Sequence, residues 1–457
     1  MAADASSNHE ELTKRAEVPL PEQHRRRWQN WAGTQHCDPL EVHRPRSEEE
    51  IAAIVGSAAI IGERVKVVGT GHSFTDIALT DGHLIDLRDY SGLVRVNRSA
   101  LRATAQAGMT FTAFSRALFP RGLSMEDMGD IGYQTVAGGT ATGTHGTGAR
   151  FGCLATQIVR MRIVLADGST VECTADDEPE LFQAARVGLG ALGVISTLTF
   201  RLEPAFNLHA RELPLPLDDV IDGLDEFVDD NQHFEFFWYP GSRHAATKRN
   251  NRTARAADDY AAWRRVRDDV VVGDYAANAT VQLGRVAPAL ARRARRMVAT
   301  DGREDYVDRS YRVFTSERRV RFHEMEYFIP RAAAREAFGR VRALIERGEH
   351  GVAMPVEVRF TAPDDIPLSM SEGRATCSIA VHMLRHQPYE QYFAAVEAIM
   401  RDYDGRPHWG KLHFQKAATL RPVYQQWDRF QAVRARVDPR GTFANPYLDR
   451  VLGPVGG

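Results

Sequence analysis

Cysteine is scarce in this chain of 457 residues: Cys37, Cys153, Cys173 and Cys377 stand far apart, with no CxxC pair. Such spacing argues against a disulfide framework or a thiolate zinc site and suits a reducing compartment. An excess of one charge is also lacking. Lys and Arg total 58 against 60 Asp and Glu, a formal charge of -2, whereas a nucleic-acid binder would be expected to carry a basic excess. No apolar run reaches the ~18 residues of a spanning helix. Residues 1–26 lack the apolar centre of a secretory signal and are expected to form a flexible leader. A cytoplasmic location follows as the expectation. Internal repeats are missing, and the one biased tract is Arg285–Met297 (RVAPALARRARRM). Its plain reading is a solvated basic helix; the alternative is peripheral contact with an anionic membrane.

What is present suffices for a large core, since 43% of the residues are hydrophobic, and a chain this long divides into two or three domains. Ser47-Glu48-Glu49-Glu50 is a capping box that opens a helix through about Ile60. Arg64–Val68, His83–Leu87 and Leu101–Ala107 have strand character, and Thr110 starts a helix to Leu118. Ile158–Leu165 and Ser169–Cys173 flank Asp167-Gly168 as a hairpin. A helix at Pro179–Val187 and a strand at Gly193–Phe200 follow. From residue 206 the character changes. Strands are expected at Leu208–Leu213, His233–Tyr239, Arg319–Phe328, Val352–Phe360 and Ala375–Met383. Helices are expected at Leu217–Val228, Arg331–Ile345 and Pro388–Tyr403. This is an α+β chain whose second part holds a large antiparallel sheet flanked by helices.

Three glycine-rich loops carry the binding signal. Val68-Gly69-Thr70-Gly71-His72-Ser73-Phe74 follows a predicted strand, and its glycines would free backbone N–H groups for a diphosphate. No amphipathic helix follows, so by itself the loop fits an ordinary turn better than a nucleotide loop. Val136–Gly148 packs five glycines and four threonines into thirteen residues; taken with the first loop, it points to a cofactor. Gly188–Gly193 matches GxGxxG, but a helix precedes it and a strand follows, the reverse of a Rossmann loop. A dinucleotide is therefore expected on a different fold.

In the second half, Glu357 and Arg359 are two apart on a strand and share a face. They could be a plain surface pair, or in a cleft the guanidinium could hold a polyol or lactone oxygen. His408-Trp409-Gly410-Lys411-Leu412-His413 offers Lys411 for developing alkoxide charge or for the cofactor. Its two histidines lack a third ligand, so no metal is expected. Glu324 and Glu326 share a strand face but do not form HExxH, and no GxSxG elbow occurs.

Seven ordered motifs carry a resemblance: NWAG (Asn30–Gly33), VVGTGHSFTDIALTDG (Val67–Gly82), GDIGYQTVAGGTATGTHGTG (Gly129–Gly148), HEMEYFIP (His323–Pro330), EVR (Glu357–Arg359), PHWGKLH (Pro407–His413) and DPRGTFANPYL (Asp438–Leu448). In these the chain resembles the sugar-1,4-lactone oxidoreductases of the vanillyl-alcohol-oxidase-type flavoproteins, among them L-gulono-1,4-lactone dehydrogenases, D-arabinono-1,4-lactone oxidases and alditol oxidases. The resemblance implies a PCMH-type FAD-binding domain at 27–205, a substrate-binding cap domain at 206–415, and a segment at 416–457 that packs back on the FAD domain.

It implies FAD bonded through its 8α-methyl to His72 and held by Val68, Gly69, Thr70, Gly71, Ser73 and Phe74. Asp130, Ile131, Val136, Gly138, Gly139, Thr142, Gly143, Thr144, His145, Gly146 and Gly148 would contribute from the second loop. Gly193, Val194, Ile195 and Asn445 would complete the cofactor set. Glu357, Arg359 and Lys411 would act on the substrate, an aldono-1,4-lactone or, as the alternative, an alditol. Hydride would pass to flavin N5, with reoxidation by O2 or by an acceptor such as cytochrome c or a quinone.

Overall fold

The computed structural model describes residues 27–258, 305–316 and 320–456; the expected leader and Arg285–Met297 lie outside them. The first helix, Glu48–Ile61, starts where its cap predicts: Ser47 Oγ accepts the Glu50 N–H at 3.2 Å. The Glu50 carboxylate accepts from the Arg46 N–H at 2.7 Å, one residue before the expected partner. The helix ends at Gly62, whose φ of 75° is the left-handed cap that glycine adopts without strain. It packs against Ile158–Val164 and Val194–Arg201, and the segments around it form a parallel sheet of Glu41–His43, His83–Asp86 and Val65–Val68, with His83–Asp86 central.

Next to it, among the described residues, five antiparallel strands run in the order Thr170–Cys173, Ile158–Val164, Val194–Arg201, Arg102–Gln106, Leu93–Asn97. The expected hairpin turns at Gly168, φ 82°. Between Pro179–Arg186 and Val194–Arg201, the GxGxxG segment joins helix to strand. A Cβ on Gly193 would strike the Val164 carbonyl, so this glycine serves close packing of the strand.

A second, antiparallel sheet has the order Asp305–Arg309, Asn207–Pro216, His244–Thr253, His233–Trp238, Val356–Thr361, Thr376–Leu384, Phe322–Pro330, Arg406–Pro407. Strand alternation sorts its residues. Phe234, Phe236, Met325, Tyr327, Val356, Val358, Ile379 and Val381 share a core with the helices Ala334–Glu346 and Glu390–Arg401. The alternate positions, Glu235, Phe237, Glu324, Glu326, Glu357, Arg359 and His382, are turned to the other face. The helix expected over Leu217–Val228 is two, Leu217–Asp222 and Leu224–Asp230, interrupted at Gly223, where the missing side chain lowers helix propensity.

Tail residues Leu420, Tyr424, Phe430, Tyr447 and Leu448 join one core with Ile51, Leu154 and Leu181. Asn445 is the fastener. Its Nδ2 donates to the carbonyls of Asp76, Ile77 and Leu79 at 3.2, 3.1 and 2.9 Å, and its Oδ1 accepts the Leu448 N–H at 3.0 Å. Asn445→Ala removes a helix cap and leaves buried carbonyls unpaired, an expected loss of about 2–4 kcal/mol. Calorimetric melting checks it, and an unchanged Tm would contradict this account. No helix among the described residues is long and apolar enough to cross a membrane.

Candidate active site

The strand Val65–Val68 delivers the chain into the loop Gly69–Phe74. A Cβ on Gly69 would land on the Thr135 side chain, and Gly71 has φ 72°, so both glycines are required by geometry. Asn30 Nδ2 donates to the Ser73 carbonyl at 3.0 Å, and the Trp31 N–H to the Gly71 carbonyl at 2.7 Å. Opposite, part of the second glycine-rich loop is a helix, Val136–Ala141, capped by Thr135 Oγ1, which accepts the Gly138 N–H at 3.2 Å.

These segments and Leu189–Ile195 enclose a groove of about 980 Å³. Its lining includes Val68, Gly69, Thr70, Gly71, His72, Ser73, Gly138, Gly139, Thr142, Gly193 and Ile195, all read from the sequence, together with Trp28, Lys66, Leu87, Gln134 and Gly190, which were not. Phe74, Val136 and Val194 are buried in hydrophobic packing beside it. Gly143, Gly146 and Gly148 lie where the second loop leaves the groove; a Cβ on Gly146 would strike the Asp127 carboxylate. Asn445 stands behind the wall, holding Asp76–Leu79 as described.

His72 closes one end. Its ring stacks on Trp31, with centroids 5.5 Å apart and planes 25° apart. Nδ1 is buried without a hydrogen-bond partner. Burial, reinforced by the Lys411 charge, lowers its pKa to about 4, so the imidazole is neutral at pH 7. A narrow groove walled by glycines, ending on an unpartnered neutral imidazole nitrogen, fits a flavin dinucleotide.

A second cavity of about 700 Å³ shares Gln134 with the groove. The Phe74 N–H donates to the Gly410 carbonyl at 2.7 Å, and Leu412 N–H to the Glu324 carbonyl at 2.9 Å, so the HWGK segment bridges both. The cavity collects Glu357, Arg359 and Lys411 with Glu324, Glu326, His382 and His408. Asp130, Ile131, Thr144 and His145, grouped with the cofactor in the sequence reading, line this cavity instead of the groove.

Arg359 contacts Glu357 and lies 2.8 Å from Glu235 and 3.8 Å from Asp130. Burial pushes the Glu357 carboxyl up; the Arg359 charge offsets this only in part, since the negative charges of Glu235 and Asp130 push it up further. Lys411 contacts Glu324, with His382 Nε2 3.4 Å away. Burial would raise Glu324, but Lys411 and His382 outweigh it and bring it to about 2. His145 Nε2 pairs with Glu326 at 3.0 Å. Two groups, His145/Glu326/His408 and Glu324/Glu357/His382, have metal-like composition, yet the Lys411 ammonium already holds the cationic position beside Glu324. His413 turns away to the Tyr447 hydroxyl at 3.1 Å. Glu235 and His382 escaped the sequence reading because cross-strand register, not a motif, brings them in; His382 signalled itself only as a lone polar residue in SIAVHML.

An FAD binding domain matches residues 39–174, and the D-arabinono-1,4-lactone oxidase family matches residues 198–451. The chain belongs to the D-arabinono-1,4-lactone oxidase family. It is 46% identical to L-gulono-1,4-lactone dehydrogenase of Mycobacterium tuberculosis (strain ATCC 25618 / H37Rv), over 93% of this chain and 99% of that one. With L-gulonolactone oxidase of Bos taurus it shares 34% identity over 93% and 98% of the two chains. The fold is that of solvent-stable cholesterol oxidase, with a TM-score of 0.81 at 19% identity over 94% of this chain and 98% of that structure. In this D-arabinono-1,4-lactone oxidase family member, the FAD binding match covers the first two glycine-rich loops, and the family match covers Glu357, Arg359 and Lys411.

Proposed function

We propose that this chain oxidises the hydroxyl-bearing carbon of an aldono-1,4-lactone of the L-gulono or D-arabinono type. The observation that carries the reading is the meeting, at Gln134, of a glycine-walled groove and a cavity holding one guanidinium and one ammonium against buried carboxylates. FAD, bound in the groove, supplies hydride acceptance at N5. Arg359 orients the lactone through its planar donors, and Glu357 and Glu235 hold that guanidinium still. Lys411, held by Glu324, donates to the reacting oxygen, and Glu357, whose proton affinity burial raises, takes up the hydroxyl proton. The buried, apolar-backed sheet excludes water and strengthens both contacts.

His72 is the attachment point of the flavin in this reading, supported by its unpartnered Nδ1. The ring nitrogen would replace one hydrogen of the 8α-methyl, and the two electrons released would pass to O2 with two protons, giving hydrogen peroxide. Residues 27–205 with 416–457 would form the cofactor unit and 206–415 the substrate unit. A cytoplasmic setting belongs to the same reading, supported by four free cysteines, three of them buried.

Anaerobic reduction of the holoenzyme by L-gulono-1,4-lactone, D-arabinono-1,4-lactone and xylitol tests the substrate class. Bleaching of the oxidised flavin band by a lactone is expected; exclusive turnover of xylitol would assign the chain to alditols, which the same Glu, Arg and Lys could hold. Mixing the reduced enzyme with O2, cytochrome c or a quinone then identifies the acceptor.

A further inference from the structure

Away from both cavities, side chains from two neighbouring parallel strands converge. Glu41 and His43 are two residues apart on one short strand and project to the same side. His83 is the register partner of Glu41 on the next strand. His43 Nε2 lies 2.8 Å from His83 Nδ1 and 3.8 Å from Glu41 Oε2. All three ligand atoms are within 4.8 Å of one another. Glu63, just before the strand Val65–Val68, pairs with His83 Nε2. A carboxylate there accepts the Nε2–H and leaves Nδ1 with its lone pair facing His43 and Glu41.

This chain of contacts is short of positive charge. Among the described residues no Lys or Arg pairs with Glu41 or Glu63, so two carboxylates flank two imidazoles. Zinc bonded to nitrogen at about 2.0–2.1 Å in a tetrahedron needs ligand atoms roughly 3.4 Å apart, and the two observed separations bracket that value. The rings are held, with side-chain exposures of 18% for His43 and 13% for His83, while Glu41 at 63% leaves the approach open to solvent. A carboxylate on the far nitrogen of a ligating histidine is the usual support for such a centre.

We propose that Glu41, His43 and His83 bind a divalent transition-metal ion of the zinc type, with Glu63 orienting His83 and water completing the coordination. The ion would staple the three-residue edge strand to the centre of the parallel sheet. The opposite ends of that sheet carry Val68 and, just past Asp86, Leu87, both of which line the cofactor groove. The centre is therefore structural and takes no part in electron transfer.

The test uses tag-free holoenzyme stripped with chelator and titrated with Zn2+ by calorimetry. One tight site is expected in the wild type, lost in the His43→Ala/His83→Ala double variant and weakened about 10–100-fold in Glu63→Gln. Zinc should raise the Tm of the wild type and not that of the double variant, while lactone turnover stays the same with and without zinc. Co2+ added to wild type reads the coordination without any variant, by the intense visible bands of a tetrahedral nitrogen and oxygen site. Equal zinc affinity in wild type and double variant, or only the weak bands of hydrated Co2+ in the wild type, would overturn the proposal. Should the double variant fold poorly, His43→Gln alone carries the comparison.

Discussion

His72→Ala is expected to turn a chain-bound flavin into a dissociable one. After acid or heat denaturation, flavin fluorescence should sediment with the wild-type polypeptide and remain in the supernatant for the variant. Three features argue for this nitrogen. It is buried and lacks a hydrogen-bond partner, an arrangement that costs free energy unless another bond uses it. The ring is fixed by the stacked Trp31, which limits the orientations it can present. Burial and the Lys411 charge lower its pKa to about 4, so the lone pair is free at physiological pH. The sign matters: a lowered pKa keeps the nucleophilic, neutral form until the pH falls towards the shifted value. The covalent yield of reconstituted apo-protein should therefore hold from neutral pH down to about 5. Clean separation of the flavin from denatured wild type would reject the attachment while leaving FAD binding intact.

Legibility in the sequence tracked how local each signal was. The Ser47 cap, the Asp167-Gly168 turn and the alternation in Phe322–Pro330 and Val356–Thr361 involve neighbours in the chain, and each was readable. The helix Val136–Ala141 was not, because two glycines and a threonine in six residues oppose helix formation. It forms through the Thr135 cap and the burial of Val136 and Ala137. Leu93–Asn97 was missed for a related reason: a five-residue strand with arginine at its centre is defined by pairing with Arg102–Gln106, not by its own pattern. Within the site, Glu357 and Arg359 were readable as a pair, but the choice between surface and cleft rested on burial. At 6% and 8% exposure they are in a cleft. Asp130 and Glu235, the other two carboxylates around that guanidinium, arrive from separate segments. The regrouping of Asp130, Ile131, Thr144 and His145 to the second cavity has the same origin, since the loop that carries them passes from one cavity to the other.

Arg359→Leu is expected to lower kcat/KM for the lactone by about 10²–10³-fold, the usual cost of removing one preorganised donor from a dry site. Its effect on stability should depend on pH in the direction that the raised Glu357 carboxyl already sets in the wild type, but more steeply. Glu357, Glu235 and Asp130 surround the guanidinium, and without it burial and the two neighbouring negative charges push the Glu357 carboxyl further above its unfolded-chain value. Groups raised in this way favour the folded state at low pH, and that contribution is lost as the pH climbs through the raised values. Urea unfolding of the variant should therefore show stability increasing as the pH falls from neutrality and the Glu357 carboxyl takes up its proton. Near neutrality the uncompensated buried charge should cost roughly 3–5 kcal/mol. Arg359→Lys separates the two contributions, since an ammonium restores the charge but not the planar pair of donors. Stability is expected to recover further than turnover. Flavin content stays near wild type if the guanidinium serves the substrate, because the groove that holds the cofactor is lined by other residues. Turnover of Arg359→Leu within about threefold of wild type would show that this cation is a structural counter-charge and that another donor orients the lactone.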